Sequence, residues 1–190
     1  MQDRVKKLEE GLQTAFVCSD VYSDQEYRPQ FLFNDEKAEC RVLDTIKEEL
    51  QNCEEFFISS AFITEGGISL LMETFRELEK KGVPGKILTT DYQGITEKKA
   101  IHNLAGLKNI ELRVYKAKEN KTGFHTKGYV FKRDGLYRMI LGSSNMTKPA
   151  LISNKEWNIK FVSTKQGEIV RKVKEEFDKM WNSIVYTISD

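Results

Sequence analysis

Apolar residues change their spacing several times along this chain, and each change predicts an element. Val5, Leu8 and Leu12 fall at helical spacing, which predicts a short amphipathic helix at the start. The polar stretch around Tyr22–Pro29 is irregular, and the apolar patch Phe31-Leu32-Phe33 behind it predicts a docking point onto the following domain. Over residues 36–52, Ala38, Val42, Leu43, Ile46 and Leu50 share one helical face, with Asp35 or Asn34 as N-cap. Phe56–Phe62 is short, aromatic and nearly unbroken, as a strand buried on both faces is. From Gly67 to Lys81 the helical period returns, with Ile68, Leu71, Phe75 and Leu78 inward and Gly82 as terminator.

Lys86–Thr90 predicts a second strand, Thr96–Leu107 a short helix and Ile110–Tyr115 a third strand. The second half alternates differently. Phe124–Phe131 and Leu136–Leu141 predict two strands joined by a tight Asp134-Gly135 turn. Glu156–Ser163 predicts another strand and Glu168–Trp181 a closing amphipathic helix. This succession points to the α/β class, a mixed β-sheet flanked by helices on both faces. Residues 1–34 are expected to be an N-terminal helix and connecting segment, and residues 35–190 the main domain.

Composition narrows the picture only a little. With 39% hydrophobic residues among 190, a packed core is within reach and disorder is disfavoured. A net charge of +1 neither announces nor excludes a nucleic-acid partner, since only the local field near phosphates matters. Cys18, Cys40 and Cys53 are far apart with no CxxC pair, which points to inert thiols rather than a zinc site or a disulfide framework. The charged N-terminus lacks the apolar core of a signal peptide, and no stretch approaches a membrane span. A cytoplasmic, soluble protein without a membrane partner is the expectation.

Candidate chemistry gathers in FHTKGYVFKRDGLYRMILGSSNMTKPALISNKEWN, residues 124–158. On a strand, His125 and Lys127 project from one face. The hairpin returns Gly142-Ser143-Ser144-Asn145 beside them, a compact polar set suited to an oxyanion. Glu156 opens the next strand within reach. His125 is then a candidate nucleophile on phosphorus, with Glu156 fixing its tautomer. Lys127, Asn145 and one of Ser143 or Ser144 would hold the phosphate oxygens. The stretch has no carboxylate cluster for two metal ions, so a metal-free route without cofactor is expected.

His-x-Lys, then Gly-Ser-x-Asn, then Glu eleven residues after the Asn resembles the catalytic motif of the phospholipase D superfamily. The resemblance spans Asp35 to the C-terminus and implies a phospholipase D-like half-domain. The phrases SAFITEGGISLL, ILTTDYQGIT, GSSNMTKPAL and EWN look most like the nuclease-like modules of restriction endonucleases and helicase-fused proteins. It implies that His125 is the nucleophile, Lys127 and Asn145 phosphate ligands, and Glu156 the partner of His125. It also implies a DNA substrate, a phosphohistidine intermediate, and a helicase domain as a candidate neighbour in a longer chain. The family motif usually carries an Asp five residues after the Lys, where this chain has Lys132. Superfamily sites use two copies of the motif, and this chain has one, so the resemblance implies a homodimer.

Bland readings stand beside these. HxK alone occurs by chance, and His102, in a helix without a neighbouring HxK, reads as a surface or boundary residue. Ser59, Ser60, Thr89, Thr90 and Tyr92 read as structural groups at strand ends, and Trp157 as core. Lys116, Lys118 and Lys121 lie in the loop leading to His125, and Lys132, Arg133, Lys148 and Lys155 are assigned to neighbouring loops. Lys116, Lys118, Lys121 and Lys148 are the candidate nucleic-acid contacts. The competing functions are a lipid phosphodiesterase on the same fold and a non-catalytic DNA-binding or dimerisation module.

Overall fold

The computed structural model describes residues 2–188. Its strands are β1 (Gln30–Leu32), β2 (Glu55–Ser60), β3 (Gly85–Thr90), β4 (Ile110–Tyr115), β5 (Lys127–Arg133), β6 (Leu136–Gly142), β7 (Asn158–Thr164) and β8 (Val185–Ile188). They form one mixed sheet in the order β1-β7-β6-β5-β2-β3-β4-β8. β2, β3 and β4 run parallel, and the other pairings are antiparallel. The expected mixed α/β sheet is therefore the observed one.

The helices are α1 (Gln2–Phe16), α2 (Val42–Asn52), α3 (Glu65–Ser69), α4 (Met72–Lys81), α5 (Lys98–Ala105), α6 (Lys148–Ile152) and α7 (Glu168–Trp181). Ile46, Leu50, Ile68, Phe75, Leu104 and Leu151 of α2 to α6 bury one face of β2, β3 and β5. Leu8 of α1 joins that face through Tyr27, Leu136 and Val162. The other face belongs to α7, whose Val170, Phe177 and Trp181 are all buried. Burying each such side chain contributes roughly 1.5–3 kcal/mol. α7 covers the middle of its face and leaves the β1–β7 side open.

Several boundaries differ from the periodicity. The helix expected over 36–52 begins at Val42, because Asp35 and Cys40 bridge across a turn. Its N-cap is Arg41 rather than Asp35 or Asn34, although Asn34 Oδ1 accepts from the Val42 N–H at 2.9 Å from outside the helix. The helix expected from Gly67 breaks into α3 and α4, with Thr64 capping the first and Gly82 at φ 69° closing the second. Phe31-Leu32 forms the edge strand β1 against β7. α6 and β8 had no counterpart among the expected elements.

Sheet polarity gathers the chemistry at one end. The ends of β2, β3, β4 and β6 and the starts of β5 and β7 share one rim. In sheets of this kind ligands sit beyond the carboxyl ends of the parallel strands.

Candidate functional site

Two loops on this rim carry the predicted chemistry, and the exit of β2 clamps both. His125 lies just before β5 rather than inside it, since the strand starts at Lys127. Phe124 anchors it from behind, buried against Tyr115 with ring centroids 5.1 Å apart. Thr126 is held by β2: its carbonyl accepts from the Ala61 N–H at 3.0 Å, and its hydroxyl bonds to Ser59. Asn145 is held by the same segment, its Oδ1 accepting from the Phe62 N–H at 3.1 Å. Next to it, the Met146 N–H donates to Ser60 Oγ at 2.9 Å, and the Met146 carbonyl accepts from the Thr64 N–H at 3.1 Å. Gly67 is required here, because a Cβ on it would lie 2.1 Å from that carbonyl. Fixing Asn145 through its oxygen leaves its amide donors without a protein partner among the described residues.

Lys127 and His125 meet directly. Lys127 Nζ lies 2.6 Å from His125 Nδ1 and donates to the His125 carbonyl at 2.7 Å. An ammonium has no lone pair, so Nδ1 accepts and the ring proton sits on Nε2. His125 is exposed, whereas Lys127 is only 9% exposed. Burial holds the Lys127 ammonium below the ordinary lysine pKa, and the nearby Glu156 carboxylate opposes the shift. The Phe62 ring packs edge-on against His125 at 5.7 Å and lies 5.9 Å from Lys127 Nζ. Phe62 was missed in the sequence. The signal was there, in a strand end that places Ser-Ser-Ala-Phe just past a buried run.

Glu156 precedes β7 and accepts from the Ser143 hydroxyl, not from His125. Ser143 is exposed, and its Oγ also accepts from the Trp157 N–H at 3.1 Å. Ser144 does not reach the site. It is fully buried, its hydroxyl accepts from Asn158 Nδ2 at 2.9 Å, and its carbonyl accepts from the Tyr129 hydroxyl at 3.0 Å. Ser144 therefore braces the loop and is withdrawn from the phosphate-binding set. Gly142 lets β6 and β7 approach, since a Cβ there would stand 2.3 Å from the Trp157 carbonyl.

Lys118, Lys121 and Lys148 are exposed on the rim side of the fold. Lys116 is not free: its Nζ lies 3.6 Å from the centre of the Tyr186 ring and 3.8 Å from Glu119. A hydrogen bond with Tyr186 and these neighbours raise its pKa. Lys132 and Arg133, assigned to neighbouring loops, stand at the opposite end of the sheet. Six residues of β5 carry them about 20 Å from Lys127. There they pair with Glu54 and Glu26. Asp134 is in the hairpin turn at that end, with φ 53°. Trp157 is 73% exposed rather than core, because it lies before β7 on the part of the face α7 leaves open. His102 is exposed on α5, away from the cluster. Ser59, Ser60, Thr89 and Thr90 are buried and hydrogen-bonded, which fits structural roles.

Among the described residues, no group of three or more His, Cys, Asp or Glu side chains converges as a metal site. Among the same residues, no helix is long and apolar enough to cross a membrane. The three cysteines are free thiols, and burial pushes the Cys53 thiol up to about 12.

A family described as "Cardiolipin synthase, PLD-like domain" matches residues 46–181. Among solved structures, the chain is similar to Nuc from Salmonella typhimurium, a phospholipase D family member. The two are 18% identical with a TM-score of 0.63, over 86% of this chain and 100% of that one. NucT from Helicobacter pylori gives 18% identity and a TM-score of 0.63, over 86% and 99%. Yeast tyrosyl-DNA phosphodiesterase gives 17% and 0.55, over 82% of this chain and 38% of that one. At these identities the likeness is one of fold. No curated protein matches the sequence.

Proposed function

The chain belongs to the PLD-like domain family, and from that premise we propose that it is a metal-independent phosphodiesterase acting on DNA through a phosphohistidine on His125. The observation that carries the reading is the pairing of His125 with Lys127 at 2.6 Å beside the free amide of Asn145. Adjacent loops thus offer a nucleophile, a partly desolvated cation and a neutral amide donor, which is the set that phosphoryl transfer requires.

Substrate phosphate competes with Nδ1 for Lys127. Once Lys127 turns to a non-bridging oxygen, Nδ1 takes the ring proton and Nε2 is free to attack. Glu156, which otherwise accepts from Ser143, holds the Nδ1 proton in this scheme. The Nε2–phosphorus bond forms as the bond to the leaving oxygen breaks, and that oxygen takes a proton. Water then attacks phosphorus, loses a proton to the same acid–base group, and releases the phosphomonoester with neutral His125. The chain holds one HxK, so the acid–base group is assigned to His125 of a second copy in a homodimer.

DNA is favoured over a lipid by exposed Lys118, Lys121 and Lys148 around the site. The name of the yeast neighbour, a tyrosyl-DNA phosphodiesterase, points the same way. The test is cleavage of plasmid DNA and of its denatured single strands in EDTA, beside a His125→Ala variant. Cleavage by wild type alone, undiminished by chelator, supports the reading. Loss of cleavage in EDTA, or equal cleavage by the variant, contradicts it.

A further inference from the structure

The open part of the sheet face carries an aromatic surface that the reaction does not use. Beyond the edge of α7, Phe31 is 53% exposed, Ile159 45% and Trp157 73%. Phe31 and Ile159 are cross-strand partners, so they share this face. The Phe31 ring meets Trp157 edge-on at 5.7 Å and Phe33 at 5.6 Å. Toward the middle of the sheet, Leu141 stands opposite Ile159 in register and lines a groove of about 470 Å³ under α7. That groove opens on His125 and Lys127. Leu141 thus links the aromatic patch at the sheet edge to the groove beside the reacting groups, which Lys172 and Glu176 of α7 also line.

We propose that this surface is a base-stacking subsite, and that the substrate is single-stranded nucleic acid. The proposal rests on the phosphodiesterase reading and names the substrate class of that site. With a phosphodiester on Lys127 and Asn145, the adjoining nucleotides lie over the groove and over Trp157 and Phe31. Trp157 directly follows Glu156, and its backbone is bonded to Ser143, so the platform is fixed to the phosphate loop. Bases in a duplex are paired and stacked, and their faces do not reach a flat protein surface. A single strand offers them.

Charge complementarity selects nucleic acid over a second copy as the occupant. Lys155 is exposed beside Trp157, and Lys118 and Lys121 are exposed past β4 on the same rim. From β7 to β4 is five strand spacings, roughly 24 Å. Aromatic faces at one end of that track and cations at both suit bases and phosphates in turn. A second copy seated on the patch would bring lysines of its own against these.

The experiment compares a thymidylate decamer with an abasic decamer of equal charge, measuring binding and cleavage for wild type, Trp157→Ala and Phe31→Ala. Both side chains are exposed, so the fold is expected to survive, as circular dichroism will check. Wild type should prefer the thymidylate strand roughly tenfold or more. Trp157→Ala should lose most of that preference and keep its action on the abasic strand. Equal handling of both strands by wild type, or an unchanged preference in Trp157→Ala, overturns the subsite and leaves the phosphodiesterase reading standing. Base-dependent binding without cleavage supports the subsite and removes the enzyme reading. Absence of binding to either strand overturns the subsite. A Trp157→Ala protein that becomes monomeric by light scattering, from a wild-type dimer, assigns the patch to contact between copies and also overturns it.

Discussion

The two ends of the sheet use charge in opposite ways. At the far end, Lys132 pairs with Glu54 at 3.9 Å, and Arg133 with Glu26 and Asp134 at 3.8 and 3.5 Å. Toward that end, α2 presses buried Glu49 between Arg138 and Lys160, at 3.6 and 2.5 Å. Glu26 closes the network on Arg138. Those charges are consumed by the fold. On the rim, Lys127 is hydrogen-bonded only to the His125 ring and carbonyl, and no ion pair among the described residues engages Lys118, Lys121, Lys127 or Lys148. One end cancels its charges to hold α2 and the N-terminal segment in place. The other, Lys116 against Glu119 apart, keeps them for a ligand, which is what an anion site needs.

Mutations should separate the ends. The largest effect is expected from His125→Ala or Lys127→Ala, with turnover falling on the order of 10³-fold or more and the melting temperature almost unmoved. Glu49→Ala is expected to do the reverse. It strands buried Lys160 and leaves Arg138 to Glu26 alone, and should cost about 3–5 kcal/mol in denaturant unfolding, with turnover per folded molecule preserved. Between them lies the serine pair. Ser144→Ala should cost about 1–3 kcal/mol by leaving Asn158 unsatisfied, whereas Ser143→Ala should shift turnover and leave stability within about 0.5 kcal/mol. A Ser144 variant that kept full stability and lost turnover would move that hydroxyl back into the site.

The smallest effect concerns pH. Phosphate binds the protonated form of Lys127, whose pKa is lowered by burial. Affinity for inorganic sulfate, a phosphate mimic whose charge is constant over this range, should be level at mildly alkaline pH. It should begin to fall below the ordinary lysine pKa and then drop by up to about tenfold per pH unit. Lys127→Arg should keep its affinity through that range, because a guanidinium stays charged. Calorimetric titration across alkaline pH checks both.

Much of this was legible in the sequence, and the misses share a cause. Period carried β2, β3, β4, the Asp134-Gly135 hairpin and α7, because each buries a regular stripe. The spacing of His125, Lys127, Asn145 and Glu156 located the rim cluster. What period does not report is where a strand begins or which side a loop residue takes. Strand alternation counted from Glu156 would turn Trp157 into the core, but the strand starts at Asn158 and α7 leaves that part of the face open. Ser143 and Ser144 are indistinguishable in the motif, and only the bonds of Asn158 decide between them. Lys132 and Arg133 are near His125 in number, yet an extended strand carries them to the other end. β1, β8 and α6, of three, four and five residues, are too short to show a period.

The central claim is a covalent histidine intermediate, and the most direct measurement is the stereochemistry at phosphorus. Hydrolysis of a chiral phosphorothioate diester in isotopically labelled water reports it. Attack by His125 followed by attack of water inverts phosphorus twice, so the account predicts overall retention, in EDTA and with wild-type protein only. Net inversion would show water displacing the leaving group in one step, and would contradict the role given to His125.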